Sequence, residues 1–320
     1  MNMGKGSLQL IVECLLPRRS AGFPYMRTFA EAWMDDGGAS RQNFRIPRRV
    51  RSALGHLGLC FRFWRAGRKM LCLGSGRIES VAWPWCYAYE IVPVMWDVWP
   101  EYVEPLCKFI RRNRVRLVFC TSRQQTELLR RMNPQIRVEW MPEGVDVGLY
   151  PRGEILKERP YDVVEYGRVL LPVHEAIKKA RDEKKLILYY PCEPGKNLET
   201  LEELARVIRS SKISICYPQC DTNPQRAGGV ETLTQRYWEA MLSGTLILGR
   251  APRELIDFCG YNPVIDLDKT SEGALNKVQE ILEHIEDFQA LADRNERFAR
   301  ANAPWAKRMP IIVQALQELN

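Results

Sequence analysis

The stretch GGVETLTQRYWEAMLSG, residues 228–244, packs two adjacent glycines, two glutamates eight positions apart and a helix-patterned run into seventeen residues. Just upstream lies KISICYP, residues 212–218, whose apolar, β-branched core reads as a buried strand. A segment leaving such a strand emerges at the carboxyl end of a parallel sheet, where open α/β folds hold their ligands. Gly228 and Gly229 let the backbone approach a ligand closely. A helix beginning near Thr232 directs free N–H groups and the positive end of its dipole at the same place, which suits an anion such as phosphate. Glu231 stands before the helix and Glu239 about two turns along it, so the pair can accept hydrogen bonds from hydroxyls of one extended molecule. Gln235 and Arg236 share that helix and can face phosphate or sugar. Leu233, Tyr237, Ala240 and Met241 form the expected core face, and Gly244 ends the helix. Together these features fit a nucleotide-sugar, with the helix tip at the diphosphate and the glutamates at its two sugars. The competing reading is a solvated acidic face on a surface helix.

Working outward, short β-rich runs alternate with helix-patterned segments: LQLIVECL, KMLCLG, EIVPVMW, VRLVFC and RVEWMP, then YDVVEYG, KLILYYP, KISICYP and TLILG. Such alternation implies βαβ units and parallel sheets. A chain of 320 residues exceeds one ordinary core and suits two domains of roughly 150 residues. VDVGLYPRGEILKERPY, between Val145 and Tyr161, carries turn residues without periodicity and reads as the linker. Ser122 is placed to cap RQQTELLRRM, with Leu128, Leu129 and Met132 on one face. Near the end, Pro310 interrupts an amphipathic pattern and predicts a kinked final helix.

The spacing Glu231-x7-Glu239-Ala240-Met241, followed by Gly244 and a strand, resembles the E-x7-E signature of the group 1 (family 4) retaining glycosyltransferases. FCTSRQQTELLRRMNPQIRVEWMPEGVDVGLYP (119–151), VVEYGRVLLP (163–172) and ARANAPWAKRMPIIVQAL (299–316) are similar to the family's first-domain close, second-domain opening strand and terminal helix. The likeness is good after Val115 and weak before Ile91. It implies the GT-B fold: an α/β protein with two Rossmann-like domains facing across a cleft and a C-terminal helix crossing back to the first. The expected boundaries are 1–152 plus 304–320 for the acceptor-side domain and 153–303 for the nucleotide-sugar-binding domain. The resemblance further implies that Glu231 contacts the donor hexose, Glu239 the ribose and Arg168 the diphosphate, with backbone amides of Thr232, Leu233 and Thr234 adding to the phosphate site. Two departures stand out. Where the family has a phosphate-binding lysine, the chain has His174, with Lys178 a turn later; an ordinary surface role is the other reading of His174. The first domain's glycine-rich turn is reduced to SAGFP, with Gly22 alone.

Asp97 follows an apolar strand where the family often places a cleft-facing histidine or aspartate; it also fits as the cap of a helix starting near Pro100. Catalytic roles are thus expected of Glu231, Asp97 and Arg168. Donor contacts are expected of Arg168, Gly228, Gly229, Thr232, Leu233, Thr234, Arg236 and Glu239. The implied activity moves a hexose from a nucleoside-diphosphate sugar to an acceptor hydroxyl on a glycan, lipid-linked or protein acceptor. Neither cofactor nor metal is expected: Cys216, Cys220 and Asp221 lack a fourth ligand, and Asp266-Leu267-Asp268, a DxD, reads as loop punctuation beyond the last strand.

Charge is uneven. Residues 1–152 hold 24 Lys+Arg against 13 Asp+Glu, a balance of +11, while the remainder hold 23 against 26, a balance of −3. Arg41–Lys69 contributes nine basic residues and no acid, interleaved with Leu, Phe and Trp. This composition fits an anionic membrane surface, where each charge contributes on the order of 1 kcal/mol. A solvated basic helix or a nucleic-acid surface are its alternatives, nucleic acid being the least favoured. No apolar run reaches the ~20 residues of a membrane span, Glu13 breaks the first apolar segment so that it reads as a strand and not a signal peptide, and ten scattered cysteines fit a reducing cytoplasm. The expected location is therefore cytoplasmic, peripheral on the inner membrane face. Two other functions stay open: a non-catalytic GT-B-like subunit binding membrane or nucleic acid, and a glycosyltransferase acting on nucleic-acid bases.

Overall fold

In the computed structural model the described residues are 13–16, 24–42, 49, 68–191, 198 and 200–319. Most of Arg41–Lys69, and with it the membrane-facing reading, lies outside them, as does Gly22.

The chain divides into two compact units, Met1–Pro142 with Arg308–Asn320, and Glu143–Lys307. In the first unit β1 (Glu13–Leu16), β2 (Ala39–Gln42), β3 (Lys69–Ser75), β4 (Glu90–Trp96), β5 (Leu117–Cys120) and β6 (Arg137–Trp140) form a sheet in the order β2-β1-β3-β4-β5-β6. Every pairing is parallel. β3 and β5 are buried along almost their whole length, as strands covered on both faces must be, which explains why they read as continuous apolar runs. Helix α1 (Pro24–Asp35) precedes β2, α2 (Pro100–Asn113) follows β4, and α3 (Arg123–Met132) follows β5. Ser122 caps α3 as expected, accepting the N–H of Gln125 at 3.4 Å. Its buried face, however, is Gln125, Thr126 and Leu129; Met132 is exposed.

The second unit holds β7 (Tyr161–Val164), α4 (Leu171–Asp182), β8 (Leu188–Tyr189), α5 (Leu201–Arg209), β9 (Ser211–Cys216), α6 (Gln235–Leu242), β10 (Leu246–Gly249), α7 (Arg253–Cys259), β11 (Ile265–Asp266), α8 (Ser271–Glu283) and α9 (Gln289–Asn302). Its strand order is β11-β10-β9-β7-β8, again all parallel. The chain starts at β7, goes to one side for β8 and to the other for β9 to β11, so the switch point lies between β7 and β9. Open α/β sheets bind ligands outside the carboxyl ends of the strands at that crevice. One apolar layer joins Val173, Ile177 and Ala180 of α4 with Ala274, Val278 and Ile281 of α8. The opposite layer joins α5, α6 and Ala299 of α9.

Several expectations need correction. The break follows Pro142, not Arg152, because the segment from Glu143 to Tyr150 is bound into the second unit: Trp238 Nε1–H donates to Glu143 O at 2.8 Å, Gln235 to Gly144 O at 2.9 Å, and Arg300 to Val147 O and Tyr150 O. The return to the first unit begins at Arg308, not at 304, and carries the terminal helix α10 (Met309–Gln317), tied by Arg308 Nε to Pro142 O at 2.9 Å. Pro310 sits in its first turn and starts it without a kink. Ile265–Asp266 of the DxD is the edge strand β11, and Asp268 turns the chain into α8 by accepting the Thr270 N–H at 2.9 Å. Among the described residues no three His, Cys, Asp or Glu are grouped to hold a metal ion, and no helix is long and apolar enough to cross a membrane.

Gly249 ends β10 at φ +132°, and a Cβ there would lie 2.0 Å from Cys216 O of the neighbouring strand. Gly249→Ala is expected to cost about 3 kcal/mol or more, from overpacking plus a strained φ. A urea-unfolding midpoint equal to that of the wild type would contradict this account of the β9–β10 packing.

Candidate functional site

The segment leaving β9 runs through Tyr217 and two one-turn helices, Gln219–Thr222 and Pro224–Ala227. Gly228 closes the second at φ +56°, a conformation that favours glycine, and both Gly228 and Gly229 are exposed. Residues 231–234 are not helical; α6 begins at Gln235, three residues later than expected. Thr234 is the N-cap but its side chain makes no capping bond, and its buried Oγ1 has no hydrogen-bond partner among the described residues. Leu233 N–H is taken by the Glu254 carboxylate of α7, which removes that amide from the expected phosphate site.

Arg236 corrects the sequence reading more fully. It is buried, and its guanidinium donates to three carbonyls: Arg168 O at 2.7 Å, Tyr217 O at 3.0 Å and Tyr166 O at 3.3 Å. Tyr166 OH returns a bond to Arg236 O at 3.1 Å. The side chain therefore spans the switch point from the loop after β7 to the loop after β9, with three of its five N–H hydrogens bonded to carbonyls. Its geometry brings Gly167-Arg168 and the start of α6 to one end of the sheet. Gly167 turns there at φ +69° and the Arg168 side chain is exposed.

α6 is not the amphipathic surface helix its pattern suggests: Arg236 through Leu242 are all buried. Glu239 is buried with them and accepts the Tyr150 hydroxyl hydrogen at 3.0 Å. Burial pushes the Glu239 carboxyl up, with the bond from Tyr150 opposing; burial and the adjacent carboxylate likewise push Tyr150 up. The solvated-face reading thus fails for Glu239. Glu231 is half-buried, with one oxygen paired to Arg250 and the other accepting the Arg253 N–H at 2.9 Å.

His174, at the position of the family's lysine, is neither a phosphate ligand nor a surface group. Its Nδ1 lies 2.7 Å from Glu165 Oε2, both side chains are buried, and Tyr190 packs on the ring at 4.5 Å. Lys178 lies a turn further along α4. In the first unit Asp97 follows β4 at φ +51° and accepts the Ser75 hydroxyl hydrogen at 2.8 Å. It does not cap α2, whose N-cap is Trp99. Sequence reasoning missed Tyr150, Glu165, Arg250 and Glu254; the only signal for Arg250 was its place directly after the strand TLILG.

The hydrogen bond to Glu165 raises the His174 pKa, with burial opposing. A group whose folded pKa exceeds its unfolded value of ~6.5 stabilises fully below that value and loses the contribution as pH rises through the folded pKa. The urea midpoint of the wild type, relative to His174→Gln, is therefore expected to fall as pH rises above ~6.5; a constant difference between the two across pH 5 to about 9 would refute the pair's role.

No protein-family model matches the chain, and no curated protein matches it in sequence. Its structure does match solved ones. Sucrose-phosphate synthase from Thermosynechococcus elongatus aligns with TM-score 0.66 at 13% identity over 96% of this chain and 98% of that one. HepE of Anabaena in complex with UDP and glucose aligns with TM-score 0.63 at 10% identity over 97% of this chain and 100% of that one. A glycosyltransferase from Rickettsia africae aligns with TM-score 0.57 at 10% identity, over 96% and 97%. At these identities the likeness is one of fold, and the chain has the GT-B architecture of two Rossmann-like units with a terminal helix returned to the first.

Proposed function

We propose that the protein is a glycosyltransferase that moves a hexose from a nucleoside-diphosphate sugar to an acceptor hydroxyl, with retention at the anomeric carbon. One observation carries the reading: Arg236 gathers the Arg168 turn and the Glu231–Glu239 element at the switch point of the second sheet, where α/β folds bind nucleotides. The shared fold with HepE, whose structure holds UDP and glucose, supports the same class of donor. In this reading Arg168, the backbone at Gly228 and Gly229, and the amides of Thr232 and Thr234 face the diphosphate. Glu231 accepts hydroxyls of the hexose; Glu239, held by Tyr150, accepts those of the ribose. The bond between the anomeric carbon and the diphosphate oxygen breaks as the acceptor oxygen bonds to that carbon. Charge then grows on the departing diphosphate, where fixed N–H groups and Arg168 stabilise it, and the acceptor's proton leaves with it. These groups require no resident metal. The acceptor class is a glycan, lipid-linked or protein hydroxyl, reached from the cytoplasmic face of a membrane.

The non-catalytic alternative draws support from a specific finding: Arg236, His174 and the Leu233 amide, all at this site, are engaged inside the protein. Ligand-induced stabilisation discriminates, because a nucleotide at 100 times its dissociation constant adds ~2.7 kcal/mol.

Donor hydrolysis across uridine, guanosine, adenosine and thymidine diphosphate sugars is the decisive assay. Glu231→Ala and Glu239→Gln are each expected to lower turnover about 10²-fold. The glutamine keeps an acceptor for Tyr150 and hence the fold. Wild-type rates in both variants, or no stabilisation by any of the nucleotides, would reject the transferase.

A further inference from the structure

One charged cluster of the second unit touches the proposed machinery without having a role in it. Arg250 Nε donates to Asp221 Oδ2 at 2.5 Å, one terminal nitrogen pairs with Glu231 Oε1, and the other lies 3.1 Å from Cys220 Sγ. Lys269 Nζ takes the second oxygen of Asp221 at 2.7 Å. The backbone of Arg250 is anchored as well, its carbonyl accepting the Tyr237 hydroxyl hydrogen at 2.6 Å. Asp221 is nearly buried, while the side chains of Arg250 and Glu231 are 29% and 27% exposed, so the pair reaches the surface of the site.

The arrangement has two physical consequences. A planar guanidinium with a separate partner on each nitrogen cannot turn without breaking several bonds, and Glu231 is gripped from both sides, by Arg250 on one oxygen and the Arg253 N–H on the other. Lys269, Asp221, Arg250 and Glu231 also form a chain of alternating charge that sums to zero.

We propose that Arg250 is a positioning residue for sugar transfer: it fixes the orientation of the Glu231 carboxylate, with Asp221 and Lys269 holding Arg250 in turn. The inference rests on Glu231 being the hexose contact.

The test uses the full chain, the nucleotide-sugar selected by the hydrolysis panel, and the matching free nucleoside diphosphate, which lacks the hexose. Arg250→Gln is expected to lower kcat at least about tenfold, whereas its affinity for the free nucleotide stays within about twofold of the wild type. Arg250→Lys, a point charge that can serve only part of the network, should recover part of the loss. Asp221→Asn, which leaves the Glu231 pair in place, should lose less than Arg250→Gln. Wild-type kcat in Arg250→Gln overturns the proposal. So does a parallel fall of kcat and nucleotide affinity, which would make Arg250 a scaffold for the whole loop. If Arg250→Gln fails to fold, the lysine and Asp221 variants carry the same comparison. Impaired Glu231→Gln beside unimpaired Arg250 variants removes this inference alone; unimpaired Glu231→Gln, or a panel with no donor, removes the transferase reading and this inference with it.

Discussion

A buried guanidinium bonded only to peptide carbonyls holds the second unit's site together. Burying a charge is costly unless its hydrogen-bonding capacity is met. Arg236 meets it with the carbonyls of Tyr166, Arg168 and Tyr217, which belong to the loops after two strands on opposite sides of the topological switch. Tying them to one side chain makes the position of the Arg168 turn depend on the position of α6. Gly167 fits the same constraint: a Cβ there would sit 3.5 Å from Arg236 Cδ, and its φ is +69°.

The second constraint is the burial of Glu239. A carboxyl inside an apolar layer needs a donor, and the donor is Tyr150, from a segment whose Pro- and Gly-rich composition resembles a linker. Covering α6 therefore requires that segment. Trp238 and Gln235 bind it at Glu143 and Gly144, while Arg300 of α9 binds it at Val147 and Tyr150. The helix is enclosed because three elements lie over the surface that its polar residues suggested was open. This coupling moves the boundary between the units to Pro142.

Much of the fold was legible because parallel strands buried on both faces read as uninterrupted apolar runs; EIVPVMW and KMLCLGS are buried almost throughout. β2 and β11 escaped for the converse reason. Four residues, ASRQ, and two, Ile265–Asp266, carry no apolar run and no period. At the site, the signals were local: the glycine turn before Arg168, the paired glycines before Glu231, and the glutamate spacing. What the sequence could not disclose was allocation. Nothing in the text of Arg236 separates a guanidinium that meets phosphate from one that meets carbonyls, and the Glu254 partner of the Leu233 amide lies 21 residues away. His174 failed similarly, since Glu165 is nine residues upstream and meets it only once β7 and α4 have folded together.

Allocation also bears on how this unit would hold an anion. Residues 143–307 hold 23 Lys+Arg against 27 Asp+Glu, a balance of −4, so no broad positive field draws a diphosphate in. Arg236 is bonded to carbonyls, Arg250 and Lys269 are paired with carboxylates, and His174 is paired with Glu165. Attraction then has to be local, from the exposed Arg168 and from N–H groups whose dipoles are fixed by the backbone. Fixed dipoles need no reorganisation when charge develops and lose little to screening by salt, unlike mobile surface lysines. A site assembled in this way depends on the placement of a few groups more than on total charge, which is why clamps such as Arg236 and Arg250 matter at positions where they need not touch the ligand.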